Sequence, residues 1–281
     1  MQNAGLAALG LDWRYLAFDV RPEELAAALA GARAMRFIGL NLTVPHKLLA
    51  LELVEALDAS ARTWGAVNTV RFEARVGPDA WRPLGQLEEI PDTAELRAHG
   101  FNTDADALET ALREDLGLAL PGLRVLLLGV GGAGRTAALK LASAGVAALF
   151  LVNRTRSKAE AVAAEIARRY PGARVQLGYP PGSVDLVLNA TSLGLRPGDA
   201  PPWDAAAFDL RRARAAYDMI YRPAETPFLA AARAAGCRAA NGLGMLLHQG
   251  ARALEIWTGR PAPLAVMRRA LEASVYGGTG A

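Results

Sequence analysis

Beyond about residue 120, short apolar runs alternate with amphipathic stretches. Arg124–Val130, Ala147–Val152, Val184–Asn189 and Ala215–Ile220 are continuous apolar runs, the pattern of strands buried on both faces. Val175–Leu177 is a weaker run of the same kind. Between them the pattern predicts a helix over Gly132–Ala144, closed by Gly145, and another that ends near Tyr170, before Pro171-Gly172. Ser157-Lys158-Ala159-Glu160 has the spacing of a capping box and sets the start of this second helix at Ser157. Thr226-Pro227 supplies an N-cap and a first-turn proline for a helix to Ala235, with Gly236 after it. Gly244–Trp257 and Pro263–Ser274 fit two more helices. Strands alternating with helices imply βαβ units and a mostly parallel sheet.

The first hundred residues are less regular. Glu23–Ala30 reads as a helix with Pro22 in its first turn and Gly31 just past its end. Arg36–Leu42 reads as a strand stopped by Pro45, Lys47–Leu57 as a helix, and Val67–Phe72 as a strand. Residues 73–99 scatter Gly and Pro among charges and read as a hairpin extension or a surface insertion.

Composition narrows the class. The 281 residues are 52% hydrophobic and 21% charged, with 31 cations against 28 anions. These are ordinary globular values that argue against intrinsic disorder. No basic block marks a nucleic-acid surface, and no apolar run approaches the length of a membrane span. The start lacks the pattern of a secretory signal. Cys237 is alone, and no Cys/His set has metal spacing. The expectation is a cytoplasmic, metal-free protein with neither a nucleic-acid nor a membrane partner. Only Lys47, Lys140 and Lys158 are lysines, so each lysine merits separate attention.

Candidate chemistry begins with Gly129-Val130-Gly131-Gly132-Ala133-Gly134, where a strand meets a helix. Gly129 permits the turn, Gly131 lets a pyrophosphate approach the backbone, and Gly134 lets helix pack on strand. The helix N-terminus then offers free N–H groups to phosphate. About 20 residues on, where a site for NAD carries an acid, the second strand ends in Asn153-Arg154-Thr155-Arg156-Ser157-Lys158. Arg154 suits a 2′-phosphate, and Lys158 is placed to reach it, so the cofactor reads as NADP. Three turns, Asn41-Leu42-Thr43, Asn68-Thr69 and Asn102-Thr103-Asp104, offer amides and hydroxyls to a polyhydroxylated ligand. They equally fit Asx-turns and caps.

Together these segments resemble the shikimate dehydrogenase family. The resemblance is carried by Asn41-Leu42-Thr43-Val44-Pro45-His46-Lys47, Gly65-Ala66-Val67-Asn68-Thr69-Val70, Gly100-Phe101-Asn102-Thr103-Asp104, the glycine loop and Asn153-Arg154-Thr155. It continues through Asn189-Ala190-Thr191-Ser192-Leu193-Gly194, Tyr217-Asp218-Met219-Ile220-Tyr221-Arg222-Pro223, Asn241-Gly242-Leu243-Gly244-Met245-Leu246 with Gln249, and Trp257-Thr258-Gly259. It implies an NADP-linked interconversion of shikimate and 3-dehydroshikimate in aromatic amino acid biosynthesis. The implied catalytic pair is Lys47 and Asp104. Asn41, Thr43, Asn68, Tyr221 and Gln249 are the implied substrate contacts. The implied cofactor contacts are Gly131, Gly132, Ala133, Asn153, Arg154, Thr155, Thr191, Met219 and Gly242. The chemistry agrees: hydride transfer to a ketone needs a group that gives the oxygen a proton and takes it back in reverse. His46 is read as structural, Lys140 as solvated, and Met245, Ala253 and Trp257 as a packing stripe.

The expected fold class is α/β: two α/β domains, the second a Rossmann-like doubly wound parallel sheet, with a cleft between them. The expected boundaries are a substrate-binding and catalytic domain over 1–104, completed by helices within 241–281, and an NADP-binding domain over 105–240. A monomer or homodimer is expected. The family's opening strand and its histidine-serine-x-serine-proline turn have no counterpart here. The expectation is a start placed downstream of them or a shortened chain, with unpaired ladder groups left in the first domain. Two alternatives remain: a quinate/shikimate dehydrogenase with relaxed cofactor use, which the missing acid after the second strand disfavours, and a truncated, non-catalytic NADP-binding relative.

Overall fold

The computed structural model describes residues 1–90 and 92–277. Pro91, within the expected insertion, and residues 278–281, within the expected C-terminal helices, lie outside the described residues. The chain divides into two compact units, 1–103 with 247–281, and 104–246.

In the first unit, α1 (Gln2–Ala8), α2 (Leu25–Ala34), α3 (His46–Leu49) and α4 (Ala59–Trp64) accompany the strands β1 (Gly39–Asn41), β2 (Ala56–Leu57), β3 (Thr69–Arg75), β4 (Trp81–Pro83) and β5 (Leu96–Phe101). The strand order is β1-β3-β5-β2, with β4 paired to β3. Only the β2–β5 pairing is parallel; the pairings of β3 with β1, β4 and β5 are antiparallel. Leu25, Leu29 and Ala32 of α2 pack with Val70, Phe72, Ala74 and Ala98 in one core.

Several local expectations are corrected here. The helix α2 runs through Gly31 because its buried stripe continues to Ala32; the left-handed residue that follows it is Arg36, at φ 58°. The helix expected over 47–57 is one turn of α3, a 3-10 turn at Ala50–Glu52, and then β2, whose pairing with His99–Gly100 outweighs the helix propensity of its alanine and leucine. Of the two readings of residues 73–99 the hairpin holds: β4 pairs antiparallel with β3, and Leu84 is 2% exposed.

The outer edge of β1 carries no strand among the described residues. Leu40 pairs with Val70, so the main-chain groups of Gly39 and Asn41 point to that open edge. Residues 16–20 are not assigned to any strand, and Leu16 and Phe18 are 65% and 62% exposed.

The second unit follows the alternating pattern: α5 (Asp104–Leu116), β6 (Arg124–Leu128), α6 (Gly132–Ser143), β7 (Ala148–Val152), α7 (Arg156–Arg169), β8 (Val175–Leu177), β9 (Val184–Asn189), β10 (Ala213–Asp218), α8 (Pro227–Ala234) and β11 (Arg238–Asn241). α9 (Leu243–Thr258) and α10 (Leu264–Tyr276) complete the described chain. Every pairing in the order β11-β10-β9-β6-β7-β8 is parallel. On one face Leu126, Leu128, Phe150, Val187 and Ala216 pack with Phe208, Phe228 and Leu229. The alternate residues Val125, Leu127, Leu149, Leu151, Leu186 and Leu188 point to the opposite face and are buried as well. This is the doubly wound parallel sheet expected. The capping box is a correction: α7 starts at Arg156 with Thr155 as its N-cap, and Glu160 pairs with Arg156 at 2.9 Å. Lys140 is another, because it is not solvated but bridges Asp106 (2.8 Å) and Glu109 (2.7 Å).

Glu73 of β3 is the most enclosed charge of the first unit's sheet, 2% exposed at its side chain. Arg71 donates to it, Arg97 sits at 2.7 Å and His99 Nδ1 at 3.0 Å. Burial pushes its carboxyl up, but the bonds from His99, Arg71 and Arg97 outweigh this and hold it at about 2, below its ordinary 4.5. A depressed folded-state value stabilises the fold above pH 4.5 and loses that contribution as pH falls through about 2. The neutral Glu73→Gln variant is therefore expected to be about 3 kcal/mol less stable at pH 7, with the gap closing near pH 2. Urea unfolding at both pH values checks this; a gap of equal size at both would sink the argument.

Candidate functional site

The polar turns of the first unit form one hydrogen-bonded network. Asn68 is 1% exposed. Its Nδ2 donates to Thr103 Oγ1 (2.9 Å), and its Oδ1 accepts from Thr103 N (2.9 Å) and Thr69 Oγ1 (3.1 Å). Asn41 Nδ2 donates to Thr69 Oγ1 (3.0 Å) and to the Asn68 carbonyl (3.3 Å). Asn102 Nδ2 donates to the Ala66 carbonyl, and its N–H donates to Ser60 Oγ. The Val67 N–H donates to the Lys47 carbonyl at 2.8 Å, which ties the start of α3 to the segment that holds Asn68 and leads into β3. Thr43 is exposed and Lys47 half-buried. Asp104, 8% exposed, is the residue after Thr103 and the first of α5. Gln249 lies in α9, half-buried, and Tyr221 is 38% exposed.

The second unit brings its glycine loop and the turn after β7 together. Asn153 Oδ1 accepts from Val130 N (3.1 Å), and its Nδ2 donates to the Thr155 carbonyl (2.9 Å). Gly129, at φ 91°, needs its missing side chain, since a Cβ there would stand 2.7 Å from Thr191 Cγ2. A Cβ on Gly134 would strike the Gly129 carbonyl oxygen, the close packing that the third glycine of the motif serves. At Gly131 and Gly132 a Cβ would meet nothing, so the N-terminus of α6 opens onto free space with no side chain capping it. Its N–H groups are left for an external acceptor. Arg154 and Lys158 are exposed and form no ion pair with an acid among the described residues, whereas Arg156 is held by Glu160. Gly242 abuts Met219: a Cβ on Gly242 would strike the Met219 carbonyl. A pyrophosphate at α6 and a phosphate beside Arg154 fit these groups.

Three family descriptions match the chain: the shikimate dehydrogenase substrate binding domain over residues 1–70, shikimate / quinate 5-dehydrogenase over 112–191, and the shikimate 5′-dehydrogenase C-terminal domain over 242–272. A shikimate dehydrogenase (NADP(+)) of Geobacter metallireducens is 39% identical, over 98% of this chain and 91% of its own length. The chain belongs to the shikimate dehydrogenase family. Among solved structures, the Thermus thermophilus shikimate 5-dehydrogenase in complex with NADP(H) and shikimate is similar at 35% identity and TM-score 0.77, covering 97% of this chain and 92% of that one. The ligand-free 5-ketofructose reductase of Gluconobacter sp. strain CHM43 is similar at 37% identity and TM-score 0.77, covering 97% and 91%.

Within this family member, sequence reasoning passed over several residues that hold the site residues. Tyr15 donates its hydroxyl to Asn41 Oδ1 at 3.0 Å and lies beside the Trp257 ring, and burial pushes its hydroxyl up. No motif flags a tyrosine in an irregular segment. Thr69 and Thr103, which the sequence offers only as hydroxyls for a ligand or as turn caps, are the partners that hold the Asn68 amide. Among the described residues no group of three or more His, Cys, Asp or Glu is placed to hold a metal, and no helix is long and apolar enough to cross a membrane.

Asn68→Ala would strand the Thr103 N–H and leave the Thr69 hydroxyl with one partner fewer in a buried setting. At ~1–3 kcal/mol per stranded group, the variant is expected to lose about 3 kcal/mol. Urea titration measures it, and a loss below about 0.5 kcal/mol would show that the network carries no stability.

Proposed function

We propose that this chain is an NADP-dependent shikimate dehydrogenase that reversibly reduces 3-dehydroshikimate to shikimate in aromatic amino acid biosynthesis. The observation that carries the reading is the bare N-terminus of α6 facing open space at Gly131 and Gly132, in a chain that also holds the Asn41–Asn68–Thr103 network leading to Asp104. In this reading residues 1–104, with the helices within 241–281, bind substrate, and residues 105–240 bind NADP. The enzyme is cytoplasmic, acts as a monomer or homodimer, and has no nucleic-acid partner.

NADPH, when bound, supplies the hydride for the keto carbon. Gly129, Gly131, Gly132, Ala133 and Gly134 hold the pyrophosphate at α6. Arg154, with Thr155 and Lys158 beside it, takes the 2′-phosphate, and Asn153 keeps that turn against the glycine loop. Thr191, Met219 and Gly242 line the nicotinamide. Asn41, Thr43, Asn68 and Gln249 bind the substrate's hydroxyls, and Tyr221 its carboxylate end. Lys47 donates a proton to the ketone oxygen as charge develops there and accepts it back in the reverse direction. Asp104 is the carboxylate that orients the Lys47 ammonium and takes part in the same hydrogen bonding.

Two outcomes test this. Lys47→Ala is expected to lower kcat by about 10³-fold while the KM for NADP stays within about twofold and Tm is unchanged; near-normal turnover removes Lys47 from the mechanism. Arg154→Ala removes a charge-assisted bond, and at ~1.5–3 kcal/mol the preference for NADP over NAD is expected to fall about 10- to 100-fold. The ratio of kcat/KM for the two cofactors measures it, and an unchanged ratio would place the 2′-phosphate elsewhere.

A further inference from the structure

The ends of β9 and β10 carry a buried polar pair, Asn189 and Asp218, that has no part in the proposed chemistry. Asp218 closes β10 and is fully buried, beside Asn189 at the end of β9. Its carboxylate accepts from Asn189 Nδ2 (3.0 Å), the Ile220 N–H (3.0 Å) and Thr226 Oγ1 (2.7 Å). Asn189 Oδ1 accepts from the Thr191 N–H (3.0 Å) and the Thr191 hydroxyl (2.8 Å). The Thr191 oxygen in turn accepts the Leu193 N–H at 3.1 Å. The Asn189 carbonyl accepts the Met219 N–H at 2.9 Å.

Two one-way partners fix the direction of this hydrogen-bonded chain. The Thr191 N–H only donates and an ionised carboxylate only accepts, so the amide of Asn189 turns its oxygen to Thr191 and its nitrogen to Asp218. That orientation sets the turn whose Thr191 methyl packs against Gly129, while the Ile220 bond to Asp218 sets the turn carrying Met219 against Gly242. One side chain therefore governs both turns that approach the nicotinamide in the reading above.

We propose that Asp218 is a positioning residue for the nicotinamide half of the cofactor, acting through Asn189 on Thr191 and through Ile220 on Met219. This inference rests on the proposed dehydrogenase reading. Burial pushes the carboxyl of Asp218 up, and the bonds from Ile220, Thr226 and Asn189 oppose that rise. Those three donors are the partners a buried carboxylate needs.

The test compares Asp218→Asn with Thr226→Val in the full chain. Asparagine keeps the shape but removes the charge, so the bonds from Asn189 and the Ile220 N–H weaken and the hold on both turns loosens. Valine removes one donor to Asp218 and the N-cap of α8 but leaves the charge and the bonds from Asn189 and Ile220 intact. Both variants are expected to lower Tm. Only Asp218→Asn is expected to raise the Kd for NADPH about tenfold, to leave the Kd for 2′,5′-ADP within about twofold, and to increase the primary isotope effect on kcat with 4-deuterated NADPH. If Asp218→Asn does not fold, Asn189→Ala breaks the same chain at its neutral member and is expected to give the same selective loss. Equal changes for NADPH and 2′,5′-ADP, or a loss of Tm with no change in either constant, would overturn the positioning role. A wild-type chain that binds neither nucleotide would instead overturn the dehydrogenase reading.

Discussion

A strand that stops leaves main-chain groups with no ladder partner, and the loops that do the chemistry start at those points. Here the need is met mostly by short amide side chains. Asn41 at the end of β1, Asn102 after β5, Asn153 after β7, Asn189 at the end of β9 and Asn241 at the end of β11 each bond the backbone of a neighbouring turn. Asn68, just before β3, does the same for Thr103. An amide offers a donor and an acceptor at once, so one residue can satisfy both kinds of orphaned group. The loops are thereby held without long side chains that would fill the space a ligand needs.

This use of asparagine explains how much of the molecule could be read from the sequence. The parallel sheet of the second unit was legible because both faces are buried and its strands are written as unbroken apolar runs. Thr226 was legible as a cap because hydroxyl, spacing and proline agree, and its oxygen does accept the Leu229 N–H. The first unit was less legible. β2 is two residues long and exists only through its pairing with β5, a long-range contact that local pattern does not encode. The asparagines were visible, but the sequence could not separate ligand contacts from loop clamps. The structure shows Asn68 and Asn153 committed to clamping, which leaves their backbone-ordering part certain whatever else they touch.

The charged face of the first unit's sheet follows a different rule. Arg71 and Glu73 on β3 stand opposite His99 and Arg97 on β5, so a two-residue period places all four on one face. The guanidinium of Arg71 lies over the Phe101 ring and that of Arg97 over Trp81. The aromatic faces and the central carboxylate are the partners these guanidinium groups need on a largely buried sheet face. The opposite face, with Val70, Phe72 and Ala98, carries the hydrophobic core. Glu73, Arg97 and His99, among the charges scattered through residues 73–99, belong to this one face of the sheet.

The scarcity of lysine gives the final step. Of 31 cations 28 are arginines, so this chain meets most of its needs for positive charge with arginine. Arginine holds its proton at every accessible pH and binds anions through a rigid fork. Lysine can release its proton, and that distinction matters only where a proton must move. Lys140 is spent on Asp106 and Glu109 between α5 and α6, and Lys158 is exposed on α7. Lys47 is half-buried at the start of α3, with its carbonyl bonded to the Val67 N–H next to Asn68. In a chain this committed to arginine, a lysine kept at that position fits the proton transfer proposed for it.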